Sequence, residues 1–169
     1  MPLVINNLMN FRVGFGYDVH QLAEGYTFTL GGIEIPHTKG SVGHSDGDTL
    51  IHAICDALLG AANLRDIGFH FPDTSAALKG IDSKVILKKT VQLIGEKGYK
   101  IGNIDTTISL QRPKIKDYIP QMQQILAATC QIDADAIAIK ATTTEKLGFE
   151  GREEGLSAYA VVLIYKELQ

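Results

Sequence analysis

The sequence predicts an α+β fold: a mixed β-sheet packed by helices on one face, with βαβ-type crossovers. Three observations predict it. Strand-like and helix-like stretches alternate through the second half of the chain. The first half opens on a β-flavoured run followed by a hairpin signal with paired glycines. The 169 residues, 45% hydrophobic and 21% charged, suit one soluble domain large enough to bury a core. That domain is expected to span residues 11–169, with residues 1–10 as an N-terminal extension.

Residues 11–19 read as the first strand. Tyr26 to Leu30 and Ile33 to Ile35 flank Gly31-Gly32, where positive φ makes a tight turn. Residues 36–43, rich in Gly, Ser and Pro, read as a loop. A helix is predicted over 48–59, capped by Ser45 or Asp46 and ended by Gly60. Its core face is Leu50, Ile51, Ile54 and Leu58. Residues 61–80 are loop-like. A second helix runs over 83–97, capped by Asp82 and closed by Gly98. A strand follows over 104–110, then a helix from Tyr118–Pro120 to Cys130. Strands over 137–142 and 156–165 complete the chain. There are no internal repeats or low-complexity segments.

Composition excludes several function classes. A net charge of −3 argues against a nucleic-acid binder, which carries a basic surface. It leaves phosphate substrates open, because a metal ion and local lysines can supply a positive field. Cys55 and Cys130 lie in apolar helical stretches and read as buried thiols of a reducing compartment. The first ten residues lack a basic leader and a long apolar run, and no stretch is long enough to span a membrane. The expectation is a cytoplasmic protein.

Four groups of residues carry chemistry. Asp18 and His20 are two apart in a strand and therefore share a face. With His52 on the next helix they make a plausible three-ligand set for zinc, leaving a fourth position open. The competing reading is a pair of hydrogen-bonded structural histidines. Asp48, His52 and Asp56 stack at i, i+4 and i+8, either as a solvated face or as a metal ligand between acceptors. The second group, His44-Ser45-Asp46-Gly47-Asp48, feeds a helix N-terminus. It suits a phosphate or, more simply, a capping segment. In the third, Lys140 to Lys146, Thr142, Thr143 and Thr144 offer hydroxyls and Glu145 a hard ligand for Mg²⁺; β-branched residues in a strand are the plain alternative. The fourth, Leu110 to Lys116, is a proline-stiffened turn whose lysines can meet a ribose-phosphate or simply face solvent.

Together these segments resemble the 2-C-methyl-D-erythritol 2,4-cyclodiphosphate synthase family, over essentially Arg12 to the C-terminus. The likeness rests on Gly14 to His20, His44 to Asp48, Asp56 to Gly60, Asp66-Ile67-Gly68, Phe71 to Thr74, Lys140 to Gly148 and Gly151 to Gly155. Phe15 stands where many members have histidine, and Ser75 where aspartate is frequent.

The resemblance implies Zn²⁺, or another divalent transition metal, at Asp18, His20 and His52. It implies Mg²⁺ or Mn²⁺ at Glu145, held with the substrate diphosphate. It implies transition-state stabilisation by His44 and Thr143. The methylerythritol phosphate is expected at Ser45, Asp66, Ile67, Gly68, Phe71, Pro72, Asp73, Thr74 and Ser75. The cytidine diphosphate is expected at Leu110, Gln111, Arg112, Pro113, Lys114, Ile115, Lys116, Thr142, Thr143 and Thr144. A homotrimer is implied, with sites between subunits. Phe149 and Arg152 are expected at an axial cavity open to an isoprenoid diphosphate. The implied reaction is intramolecular attack of a 2-phosphate on the β-phosphate of a cytidine-linked substrate, with release of CMP. A metal-dependent phosphohydrolase and a non-catalytic isoprenoid-diphosphate binder are the alternatives from other classes.

Overall fold

The structure, a computed structural model, describes residues 10–72, 74 and 79–167. One five-stranded mixed sheet, in the order β4-β1-β7-β5-β6, carries the chain. Its strands are β1 (Asn10–Glu24), β4 (Lys39–Val42), β5 (Lys100–Ser109), β6 (Ile137–Thr142) and β7 (Gly155–Lys166). Only β5 and β6 pair in parallel, through the crossover helix α4 (Ile119–Cys130). The other neighbours are antiparallel. A separate hairpin joins β2 (Thr29–Leu30) to β3 (Ile33–Glu34), with Gly31 and Gly32 at φ 60° and 80°.

The helices α1 (Thr49–Ala61), α3 (Ser83–Glu96) and α4 supply the core, packed against the sheet. Gly14, Gly16, Asp18 and His20 of β1 lie on the face toward α1. Gly14 and Gly16 allow this contact: a Cβ on either would lie 1.9 Å from the carbonyl oxygen of Ala57 or Ala53. Small residues on both elements let the helix lie directly on the strand.

The opposite face of the sheet is open. Phe11, Val13, Phe15, Tyr17 and Val19 of β1, with Tyr159 and Val161 of β7, are 37% to 64% exposed. Tyr17 and Tyr159 pair across the ladder with ring centroids 5.2 Å apart. Among the described residues, no helix is long and apolar enough to cross a membrane.

The structure corrects four local expectations. Part of the predicted loop over 36–43 is β4, an edge strand whose Gly and Ser give no alternation. Its pairing with the end of β1 decides its conformation. The α1 cap is Asp48, whose Oδ1 accepts from Ile51 N; Asp46 instead binds Ser83. Gly60 does not end α1: the helix continues to Ala61 and closes through left-handed Asn63, with Leu64 N donating to Leu59 O. Within the predicted loop over 61–80 lies one helical turn, α2 (Ile67–His70).

Candidate metal centre and the cavity over it

The close packing of α1 on β1 brings His52 over the two side chains that β1 projects from the same face. Asp18 Oδ2 lies 3.0 Å from His20 Nε2 and 3.1 Å from His52 Nδ1, and the two nitrogens are 3.2 Å apart. Ligands about 2.0–2.1 Å from a tetrahedral cation stand about 3.3 Å apart, so the triangle has the size of one face of that tetrahedron.

The hydrogen bonds behind the triangle set its chemistry. His20 Nδ1 donates to the Val42 carbonyl at 2.9 Å, which leaves Nε2 facing the centre. His52 Nε2 meets Ser45 Oγ at 3.1 Å and Ser83 Oγ at 3.0 Å. Ser83 Oγ in turn donates to Asp46 Oδ1, while Ser83 N donates to Asp46 Oδ2. With its hydrogen spent on Asp46, Ser83 Oγ accepts the proton of His52 Nε2, and the Nδ1 lone pair points inward. Two imidazole lone pairs and a carboxylate oxygen then converge, an arrangement that a divalent cation satisfies.

The same triangle is electrostatically coupled. Burial alone would raise the Asp18 carboxyl, but the adjacent His20 and His52 imidazoles hold it below its ordinary value. Burial alone would lower His20, but Asp18 and the Val42 carbonyl together raise it. Below that raised pKa, cation binding must displace a proton from His20. Zn²⁺ affinity is expected to fall as the pH drops through that raised pKa, up to about tenfold per pH unit. The fall begins above the ordinary imidazole value of 6.5. Competition with a chromophoric chelator at several pH values checks this, and a flat response contradicts it.

A cavity of about 420 Å³ opens over the centre, lined by His20, His44, Ser45, His52, Ile67, Gly68, Phe71, Pro72, Thr74, Ile81 and Ile86. One wall is placed by Asp56, a turn along α1 from His52, whose Oδ1 accepts from Ile67 N at 2.7 Å. Asp66 precedes α2, exposed, with Oδ2 beside Gly68. Asp73 and Ser75 lie outside the described residues. At the α1 N-terminus the structure shows the capping reading. Asp48 and Thr49 are fully buried there, and Asp48 accepts from Gly31, Gly32 and Ile51 N. Asp48 is thus an anchor for the β2–β3 hairpin rather than an acceptor for His52.

Leu110, Pro113, Lys114, Ile115, Lys116, Thr142 and Thr143 form a second cavity of about 200 Å³ with Ala141. The Arg112–Pro113 peptide is cis. Arg112 reaches toward Glu153, 4.0 Å away, and Gln111 Oε1 is buried without a hydrogen-bond partner among the described residues. Thr143 Oγ1 donates to Glu145 Oε1 at 3.2 Å, whereas the Thr144 hydroxyl is spent on the Leu147 carbonyl. Phe149 is half-buried, and the exposed Arg152 makes a two-pronged ion pair with Glu154.

The two cavities share no lining residue. Asp18, Ala158, Ile108 and Ala141 stand in one row across β1, β7, β5 and β6. Three strand spacings, about 14 Å, separate its ends. Sequence reasoning missed Ser83, the buttressing role of Asp46, and the Ile81 and Ile86 walls. Asp82-Ser83 carries only a capping signal, and nothing local indicates contact with a helix that far away.

An α+β sheet holding an Asp-His-His triad beneath a small-molecule cavity defines a class: proteins with a divalent-metal centre and an open ligand site. The comparisons narrow it. The YgbB family profile matches residues 11–165, and the chain belongs to that family. It is 65% identical over 159 residues to the 2-C-methyl-D-erythritol 2,4-cyclodiphosphate synthase of Bacteroides thetaiotaomicron, covering 94% of this chain and all of the relative. The synthase of Bacteroides fragilis is 68% identical over 156 residues, covering 92% and 98%. Among solved structures, the bifunctional IspDF of Campylobacter jejuni superposes with a TM-score of 0.91 at 42% identity, covering 94% of this chain and 43% of that one. A 2C-methyl-D-erythritol-2,4-cyclodiphosphate synthase solved in its CDP-bound form superposes with a TM-score of 0.84 at 36% identity, covering 90% and 99%.

Proposed function

We propose that the chain converts 4-diphosphocytidyl-2-C-methyl-D-erythritol 2-phosphate into 2-C-methyl-D-erythritol 2,4-cyclodiphosphate and CMP, a step of non-mevalonate isoprenoid precursor biosynthesis. The observation that carries this reading is the Asp18–His20–His52 triangle beneath an open cavity, in a chain 65% identical over 94% of its length to a synthase of that name. An oxygen of the substrate's 2-phosphate attacks the β-phosphorus. The new P–O bond closes the ring, and the bond to the α-phosphate oxygen breaks to free CMP. The nucleophile is internal, so the protein works by positioning and electrostatics.

Asp18, His20 and His52 would hold one divalent cation, Zn²⁺ fitting these donors, and Glu145 would hold Mg²⁺ or Mn²⁺; when bound, such ions would offset charge on the phosphoryl oxygens as Lewis acids. Ser45, Asp66, Ile67, Gly68 and the segment 71–75 hold the methylerythritol phosphate. The loop 110–116, with Thr142 and Thr143, holds the cytidine diphosphate. His44 and Thr143 donate to oxygens that gain charge in the transition state. Relatives solved with CDP support the cytidine side. Glu145→Gln is expected to raise the Mg²⁺ concentration needed for half-maximal rate about tenfold, with bound zinc unchanged; an unaltered Mg²⁺ requirement refutes the assignment.

The catalytic unit is one domain, residues 11–169, assembled as a homotrimer with sites between subunits. Two features support the assembly. The open sheet face is a contiguous apolar surface of the kind that marks an interface. Groups acting on one diphosphate must also lie closer than the span across the sheet that separates the two cavities, which a neighbouring copy resolves. Phe149 and Arg152 then border an axial cavity suited to an isoprenoid diphosphate. A cytoplasmic location accords with the buried, unpaired Cys55 and Cys130.

A ³¹P NMR time course with the cytidine-linked substrate tests the reaction. CMP with two mutually coupled cyclic diphosphate signals is expected. Inorganic phosphate instead would make water the nucleophile and the protein a hydrolase. Light scattering at three times the chain mass tests the trimer.

A further inference from the structure

Outside the two cavities, and apart from the capping Asp48, one buried acidic side chain among the described residues has no part in the reaction as described. Glu150 belongs to α5 (Gly148–Gly151), is 9% exposed, and its Oε1 accepts from the fully buried Ser157 Oγ at 2.8 Å. A carboxylate is kept from water only where a partner offsets the loss of solvent. Ser157 has a particular place in the sheet. It lies opposite Val19, between Asp18 and His20, on one side, and opposite Ser109 on the other. Ser109 in turn pairs with Thr142. One rung of the sheet thus runs from the metal-ligand strand through Ser157 to the first threonine of the segment that ends in Glu145.

α5 is hydrogen-bonded into that segment. Leu147 N donates to Thr144 O, Gly151 N donates to Leu147 O, and the Thr144 hydroxyl meets the same Leu147 carbonyl. Glu145 and Lys146 stand in the left-handed region at φ 53° and 67°. Non-glycine residues take this conformation at a cost and keep it only where their surroundings fix it. The Thr143–Glu145 side-chain contact is made at that bend.

We propose that Glu150 is a positioning residue: its carboxylate, anchored on Ser157, locks α5 to the central strand and so sets where Glu145, with the Thr143 hydroxyl beside it, presents its carboxylate to a cation bound with a nucleoside diphosphate. This rests on the role proposed for Glu145. The test measures Mn²⁺ affinity of the zinc-loaded protein in the presence of CDP, a readout independent of turnover. Ser157→Ala and Glu150→Ala are expected to weaken Mn²⁺ about tenfold while zinc content stays full. Glu150→Gln, whose amide oxygen still accepts from Ser157, is expected to stay within about threefold of the parent. Unchanged Mn²⁺ affinity in Glu150→Ala with only a lower Tm would reduce Glu150 to a structural residue and overturn the proposal. So would a Glu150→Gln variant as weak as Glu150→Ala, or a parent protein that binds no Mn²⁺ with CDP. Failure of the parent to release CMP, with Mn²⁺ binding intact, counts against the proposed reaction and not against this inference.

Discussion

Replacing His52 by alanine is expected to leave the protein folded, empty of zinc and without measurable CMP release, a loss on the order of 10³-fold or more. Of the three converging atoms, His52 Nδ1 is the one supplied by a helix and not by β1. Its removal leaves Asp18 and His20 as a two-point site facing open cavity. Ser83 and Ser45 lose the imidazole they contact, but Asp46 still takes both donors of Ser83, so the N-terminus of α3 keeps its anchor. That is why the fold is expected to survive. Metal analysis of the purified variant, with the CMP-release assay, decides the matter. A variant that is active with no bound metal would refute the ligand assignment.

Gly16→Val is expected to cost about 3 kcal/mol of stability and to weaken zinc binding together with it. The first atom of any side chain there would lie 1.9 Å from the Ala53 carbonyl oxygen and 2.7 Å from the Ala57 nitrogen, both rigid helix backbone. Relief requires α1 to rise from β1, and α1 carries His52 away from Asp18 and His20. Gly60→Ala is the matched control. It lies on the same helix with nothing within 4 Å of the added carbon, so a small gain in stability is expected. Urea unfolding and zinc titration of both variants give the answer. Unchanged zinc affinity in a destabilised Gly16→Val protein would show that helix height does not tune the site.

These two sites also mark how far the sequence could be read. Asp18 and His20 were legible as a pair because strand periodicity puts i and i+2 on one face. His52 was legible as a candidate because it interrupts an apolar helix. The helix itself followed from Leu50, Ile51, Ile54 and Leu58, all fully buried. The resemblance of the surrounding motifs carried the family, which the comparisons bear out. Local chemistry misled where it competed with distant partners. Asp46 and Asp48 are both good caps by type. Only the approach of Gly31, Gly32 and Ser83 decides which one caps α1 and which one braces His52. The segment 36–43 has the composition of a loop, yet β4 within it supplies the Val42 carbonyl that orients His20.

The sequence by itself determined most of the elements, the core face of α1 and the candidate ligands Asp18, His20 and His52, because these depend on periodicity and residue type over a few neighbours and on the motifs that carry the resemblance. Tertiary structure alone decided the height of α1 above β1, the tautomers behind the triangle, and the span that separates the two cavities in one chain. Those depend on contacts between residues far apart in sequence, where a hydrogen bond or a missing Cβ acts across space and leaves no trace in the local pattern.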